Sequence, residues 1–297
     1  MRFSVVLGEW LDRPIASDLE VAIAADAAGY EQVWVGEMAK LDAPVTATVI
    51  AERTSHIEPC LGPLAVTVRS TVQMALAVAT VASTTGRRTH LALGTSSDVV
   101  ARWHGRSRRG AAEALRRAVG EVKTLLAGER VGGFRLREAP NGTTVTVAAF
   151  GPQAVAAAAD ADRMVLNMVT VASAARLADR HPNTAVWLAA AIDPTDAERR
   201  RLVNGYVPYL GAPGYDEMFI EAGFGDLVAF AITRPDAKEI AARVPLELLD
   251  AVGLVGSAAE IRARVAEYEA VGIRELGLVV PPLDTPSGLL TLKSLAP

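Results

Sequence analysis

Short β-branched, apolar runs alternate along the chain with longer alanine-rich stretches that carry helix start and stop signals. The runs are Phe3–Leu7, Gln32–Val35, Ile57–Ala65, Thr89–Leu93, Thr143–Ala149, Met164–Leu166, Ala185–Ile192 and Glu275–Val280. Most are apolar throughout rather than alternating, the pattern of strands buried on both faces. Between them, Ser17-Asp18 opens a helical stretch to Ala28 that Gly29 stops, and Ser70-Thr71 opens another to Thr84 ahead of Gly86. Ser257 and Glu260 have the spacing of a capping box and open a stretch to Val271. Eight strands in this order predict an α/β fold, a (β/α)8 TIM barrel with insertions, as one domain over 1–297. A doubly wound open sheet would want a Gly-rich fingerprint in the first strand–helix turn, and Leu7-Gly8-Glu9-Trp10 is not one. Two excursions, at about 128–142 and 205–249, interrupt the alternation.

Composition narrows the function classes. Of the 297 residues 51% are hydrophobic and 22% charged, enough for a large core and too apolar for wholesale disorder. A net charge of −4 argues against a chain that coats nucleic acid. The single cysteine, Cys60, excludes an intramolecular disulfide, and with no apolar run long enough to span a membrane the expectation is a cytoplasmic protein. The start of the chain does not read as a signal peptide, because Glu9 and Asp12 interrupt its apolar run. Helical stretches from Val21, Val72 and Ala154 are Ala-rich and thinly charged, which points to a homodimer.

A barrel of this kind keeps its site at the C-terminal ends of its strands. Those ends deliver Glu9 and Trp10, then Gly36-Glu37-Met38, Leu64-Ala65-Val66-Thr67, Gly94-Thr95-Ser96-Ser97, Phe150-Gly151-Pro152-Gln153 and Asn167. The set is small, apolar or hydroxylic. The four histidines, His56, His90, His104 and His181, lack metal-ligand spacing, so no metal site is expected. No nucleophile elbow and no Walker loop is present. Such a mouth suits an aromatic cofactor that carries the chemistry itself, with a small-molecule substrate.

Gly151-Pro152-Gln153 after a strand would point free amides and a positive helix end at a phosphate, and Thr95-Ser96-Ser97 would add hydroxyl donors. The plainer alternative makes both loops ordinary helix caps. Glu37 is the first candidate for proton transfer, as an acid beside an apolar mouth, and Glu9 the second; a structural hydrogen bond is the alternative for Glu37. Arg106, Arg108 and Arg109 beside Trp103-His104 read as a solvated loop more readily than as a clamp on an anionic tail. Cys60 reads as core and Arg199–Arg201 as a solvated helix face.

The stretches Gly36-Glu37-Met38 with Asp42-Ala43, LGPLAVTVR (61–69), TTGRRTHLALGTSS (84–97), VVARWHGR (99–106), VAAFGPQAV (147–155), YLGAPGYDEMF (209–219) and LVGSAAEIRARVAEYEAVGI (254–273) resemble the luciferase-like flavin and deazaflavin oxidoreductases. Within them the chain is similar to the subgroup that uses coenzyme F420. The resemblance implies hydride transfer to or from a deazaflavin, with an FMN-dependent monooxygenase or a non-catalytic flavin-binding barrel as alternatives. It also implies a bulge behind the cofactor ring, often with a non-prolyl cis peptide, placed here within Leu64–Val66. The family's frequent Asp-His pair is Glu37-Met38 in this chain, and Asp162 precedes Arg163 rather than a glycine. The catalytic histidine of the sugar-phosphate dehydrogenase branch thus has no counterpart.

Overall fold

A computed structural model describes residues 1–7 and 13–297. Its nine parallel strands are β1 (Arg2–Leu7), β2 (Gln32–Val35), β3 (Glu58–Ala65), β4 (His90–Gly94), β5 (Val145–Ala148), β6 (Arg163–Asn167), β7 (Thr184–Ile192), β8 (Gly253–Gly256) and β9 (Glu275–Val279). Strands β1 to β6 pair in sequence, β6 pairs with β7, β7 with β9 and β9 with β1, which closes a ring of eight. The open-sheet alternative falls with that closure. β7 makes it possible because it is long: Ala185–Ala189 pair with β9, and Ala189–Ile192 pair with β8. β8 is thus a short addition at the C-terminal end of β7, and the sequence reading did not include it.

Among the described residues fourteen α-helices cover the ring or build its excursions: α1 (Ile15–Ala27), α2 (Ala43–Arg53), α3 (Thr71–Thr85), α4 (Asp98–Trp103), α5 (Ala111–Leu126), α6 (Pro152–Ala158), α7 (Val171–Ala178), α8 (Asp196–Asn204), α9 (Tyr215–Glu221), α10 (Gly225–Ile232), α11 (Ala237–Arg243), α12 (Glu247–Val252), α13 (Ala258–Ala270) and α14 (Pro286–Ser294). Capping chemistry fixes several of their ends. Ser70 and Gln73 form a capping box at α3, which Gly86 ends in the left-handed conformation, and Ser257 with Glu260 does the same at the start of α13. The start of α1 differs from expectation, since Pro14 precedes it and Asp18 caps nothing. Asp18 lies fully buried instead, between Arg13 (2.6 Å) and Lys40 (2.7 Å).

Inside the ring, Trp34 and Trp187 meet edge-on with centroids 5.1 Å apart. Gly277 of β9 makes room for them, because a Cβ there would come within 2.5 Å of Trp187 Cδ1. Below the tryptophans, at the N-terminal ends of the strands, Arg163 donates to Glu275 (2.7 Å), Gln32 (2.7 Å) and Thr146 (3.1 Å) and lies 4.1 Å over the Trp34 ring. Glu275 also accepts from Ser4 Oγ, which in turn accepts from Trp34 Nε1. Every member of this network is answered, as a buried charge requires.

A second buried acid joins α8 to α14. Glu198 accepts from the Ser287 hydroxyl (2.6 Å) and amide (3.0 Å) and from the Thr195 amide and hydroxyl (both 2.8 Å). Burial alone would raise its pKa, but hydrogen bonds from Ser287 and Thr195 outweigh it and hold the carboxyl down at about 2. A depressed folded-state pKa stabilises above the unfolded value near 4.5 and loses that contribution as pH falls towards 2. Glu198→Gln should therefore lower stability by about 2 kcal/mol at pH 7. The gap between variant and parent should narrow steadily in urea melts from pH 5 to pH 3, and a pH-independent gap would show that charge plays no part.

Among the described residues no helix is long and apolar enough to cross a membrane, and no cluster of His, Cys, Asp or Glu could hold a metal ion.

Candidate active site

The C-terminal ends of the strands converge on one mouth, and the backbone there is under strain. Ser96 after β4, Met168 after β6 and Asp193 after β7 all have positive φ, at 54°, 49° and 47°. A non-glycine residue in this region costs about 1–3 kcal/mol and persists where surrounding structure enforces it, often at functional sites. Of these three only Ser96 stood out in the sequence.

The β3 segment departs from expectation. Its register shifts between Leu61 and Leu64, and the cis bond is the prolyl Gly62–Pro63. Leu64 and Ala65 instead pair regularly with Leu93 and Gly94, and the Val66 amide donates to Gly94 O at 3.0 Å. The bulge therefore lies before Leu64–Val66. Pro63 supplies the readily reached cis bond, and Gly62 tolerates the crowding, where a Cβ would stand 2.5 Å from Ala92 O. Leu64 is fully buried in the core, while Ala65 and Val66 are partly exposed at the mouth.

After β4 the hydroxyls divide their work. Ser97 caps α4 by accepting from the Val100 amide (3.3 Å), which is the plain helix-cap role. Thr95 Oγ1 accepts from Arg108 Nη2 at 3.0 Å, so at least one arginine of the 102–109 stretch folds back to the mouth rather than standing free in solvent. Ser96 is exposed between them.

After β5, Gly151 is the N-cap residue of α6 with Pro152 in the first turn and no side-chain cap. Gly151, Pro152 and Gln153 are exposed, and a Cβ on Gly151 would meet nothing within 4 Å. Pro152 has no N–H and the Ala154 amide donates to Gly151 O (3.0 Å), which leaves the Gly151 and Gln153 amides without a backbone partner among the described residues. Beside them Phe150 stacks on Tyr215 at 4.2 Å and 8°, and Tyr209 meets Tyr215 edge-on at 5.1 Å. The stack depends on Gly214 (φ +87°), where a Cβ would press to 2.9 Å from Phe150. The excursion after β7 therefore folds over the ends of β5 and β6. Burial pushes the pKa of Tyr215 up, the Asn167 side chain pulling slightly the other way, and Asn167 Oδ1 is buried without a partner. Tyr209 and Tyr215 stood in the sequence as YLGAPGY, but nothing local tied them to the mouth.

After β2, Glu37 does not stand in apolar surroundings. It accepts from Arg69 Nε (2.7 Å) and Nη2 (2.9 Å) and from the Ala43 amide (3.0 Å), and the same Arg69 reaches Asp42 (2.9 Å). Asp42 caps α2, so Glu37 and Arg69 bracket β2, the start of α2 and the loop after β3 together. Glu9 and Trp10 lie outside the described residues. A cavity of about 650 Å³ lined by Arg130, Phe134, Arg135 and Arg137 belongs to the 128–142 excursion at the opposite end of the ring, away from every strained residue named above.

Fold and mouth define a (β/α)8 barrel whose site is built from the loops after its strands. The chain belongs to the luciferase-like monooxygenase family, whose model matches residues 4–275, and is an oxidoreductase of that family. No curated protein sequence matches it. Among solved structures it is similar to the coenzyme F420 dependent tetrahydromethanopterin reductase from Methanopyrus kandleri, at 16% identity and TM-score 0.79, covering 99% of this chain and 97% of that one. It is similar to an F420-dependent secondary alcohol dehydrogenase in complex with an F420–acetone adduct, at 16% identity and TM-score 0.77, with 99% and 97% covered. A type II Baeyer–Villiger monooxygenase in complex with FMN, the oxygenating constituent of 3,6-diketocamphane monooxygenase from the CAM plasmid of Pseudomonas putida, has 16% identity and TM-score 0.72, with 100% and 96% covered. At these identities the likeness establishes the fold.

Proposed function

We propose that the chain is a deazaflavin (F420)-dependent oxidoreductase that moves hydride between the cofactor and a small organic substrate. The observation that carries this reading is the donor set around α6. The open amides of Gly151 and Gln153, the exposed Ser96 and Arg108 on Thr95 suit a phosphate, and the unpartnered Asn167 Oδ1 wants a donor from a bound molecule. Partly exposed Ala65 and Val66 offer an apolar shelf for a flat ring. When bound, the deazaflavin supplies a two-electron hydride carrier with little oxygen reactivity. The protein's own residues bind and orient it, and the Tyr209–Tyr215 strap covers the β5–β6 side from water. Glu37, held by Arg69 and Ala43, serves in this reading to position the loops after β2 and β3 rather than to carry a proton.

Two of the similar structures are of F420-dependent enzymes, which favours the deazaflavin; the FMN-bound one keeps an FMN monooxygenase as the second reading. Titration of the purified chain with F420 and with FMN, followed by fluorescence, separates them. The expected result is F420 binding at least about tenfold tighter, ~1.4 kcal/mol. FMN binding tighter than F420 would transfer the site to the second reading.

A further inference from the structure

Helix α1 reverses the usual arrangement of charge. Two of its acids point inward: Asp18 lies between Arg13 and Lys40, and Asp26 accepts from the amides of Ser55 (2.8 Å), His56 (2.9 Å) and Ile57 (2.8 Å). Its outer face is left to Ile15, Leu19 and Ile23, which four-residue spacing stacks in one stripe. Ile15 and Ile23 remain 44% and 39% exposed. α2 and α3 come next around the ring and extend this face. Val45 is 64% exposed, Leu76 is 43% exposed, and α3 holds no charged residue. Between α1 and α2 runs an apolar groove of about 210 Å³, walled by Ile15, Leu19, Leu41, Val45 and Val49. Other long helices carry charge outward. α5 has Glu113, Arg116, Arg117, Glu121 and Lys123, none of them buried, and α13 has Glu260, Arg262, Arg264, Glu267 and Glu269. On α1–α3 the exposed charges are only Glu20, Glu52 and Arg53.

Size and charge together say what covers this face. Three adjacent helices about 17–22 Å long and about 8–10 Å apart span roughly 500–600 Å². That is the upper end of what monomers leave exposed, and most of the roughly 800 Å² each partner brings to a stable contact. In a two-fold contact a patch meets itself, so a charge near the axis would face its own kind, and a surface nearly free of charge suits that contact. The same surface offers no charge pattern by which a different protein would be selected. The face also reaches the mouth, because Lys40 and Asp42 line one end of the groove. Lys40 holds Asp18, and Asp42 holds Arg69, which grips Glu37. We propose that the outer face of α1–α2–α3 is the contact between two copies of this chain, and that pairing stiffens the mouth through the Asp42–Arg69–Glu37 clamp. Excluding water from the partly exposed Asp42 and Arg69 strengthens their attraction. The proposal holds for any cofactor.

Sedimentation velocity of the full chain reads the association, and amide hydrogen exchange reads the mouth. At about 10 μM the parent should be a dimer. The double variant Val45→Asp, Leu76→Asp sets carboxylates against the partner's copy of the same face, and should weaken association at least about hundredfold. Both sites are exposed, so the fold should survive; Leu76→Gln alone, a milder change, should weaken association about fivefold. Ile220→Asp with Ile232→Asp, which places charge on exposed apolar sites of the excursion instead, should leave the dimer intact. The amides of Val66, Val68 and Arg69 bond to Gly94 and Ala65 carbonyls beside the clamp. They should exchange at least about threefold faster in the monomeric double variant than in the parent dimer. A monomeric parent, a dimer as tight in both α2–α3 variants as in the parent, or a dimer lost to the excursion variant each overturns the proposed contact. Exchange at Val66–Arg69 that is the same in monomer and dimer overturns its link to the mouth.

Discussion

Arg163→Ala should cost the fold about 3–5 kcal/mol, the range found when one partner of a buried ion pair is removed. Arg163 and Glu275 are both nearly inaccessible, with side-chain exposures of 6% and 3%. Taking away the guanidinium leaves Glu275 with Ser4 and an outlying contact from the solvent-facing Arg2 at 3.3 Å. It also strips the cation from the Trp34 face and a donor from Gln32 and Thr146. The position is at the stabilising end of the barrel, so the loss should fall on folding rather than on the site. Urea denaturation at pH 7 reads it directly. The double variant Arg163→Met, Glu275→Leu removes both charges and should recover most of the loss, because the desolvation penalty disappears along with the attraction. A loss below about 1 kcal/mol for Arg163→Ala would show that water reaches Glu275 and that the pair is not truly buried.

What the sequence displays and what it hides divides along local and non-local causes. The eight ring strands were legible because most are buried on both faces and so read as largely apolar runs, and the caps at Ser70, Gly86 and Ser257 were legible because capping is decided within a few residues. β8 was not, since Leu254 and Val255 between two glycines become a strand only because β7 extends past β9 to meet them. Asp18 looked like a cap and is instead an ion-pair partner of Arg13 and Lys40, a choice made by tertiary packing. The site shows the same limit. Gly151-Pro152 was readable as a helix start, whereas the fate of Glu37 depends on Arg69 a full strand away, and the arrival of Tyr215 over Phe150 depends on how a long excursion folds. Loops that gather at a barrel mouth come from separated stretches of chain, and no periodicity within one stretch records the meeting.

Gly151→Asp offers the sharpest separation of stability from function in this mouth. Gly151 sits at φ −72° and ψ 160°, extended backbone that any residue adopts, and an added Cβ meets no atom within 4 Å. The substitution is therefore sterically free. An aspartate at this N-cap position, which now lacks a side-chain cap, can accept from the first-turn amides and should stabilise α6 by about 0.5–1 kcal/mol. The same carboxylate would occupy the amides proposed to hold the cofactor's phosphate and set a like charge against it. Thermal stability should hold or rise while F420 affinity falls by more than about tenfold, ~1.4 kcal/mol or beyond. Gly151→Asn, which caps without charge, divides the effect, and it should weaken binding less than Asp does, with the difference shrinking in high salt. Undiminished F420 affinity in the Asp variant would move the phosphate off α6 altogether and leave Arg108 and Thr95 as its nearest donors.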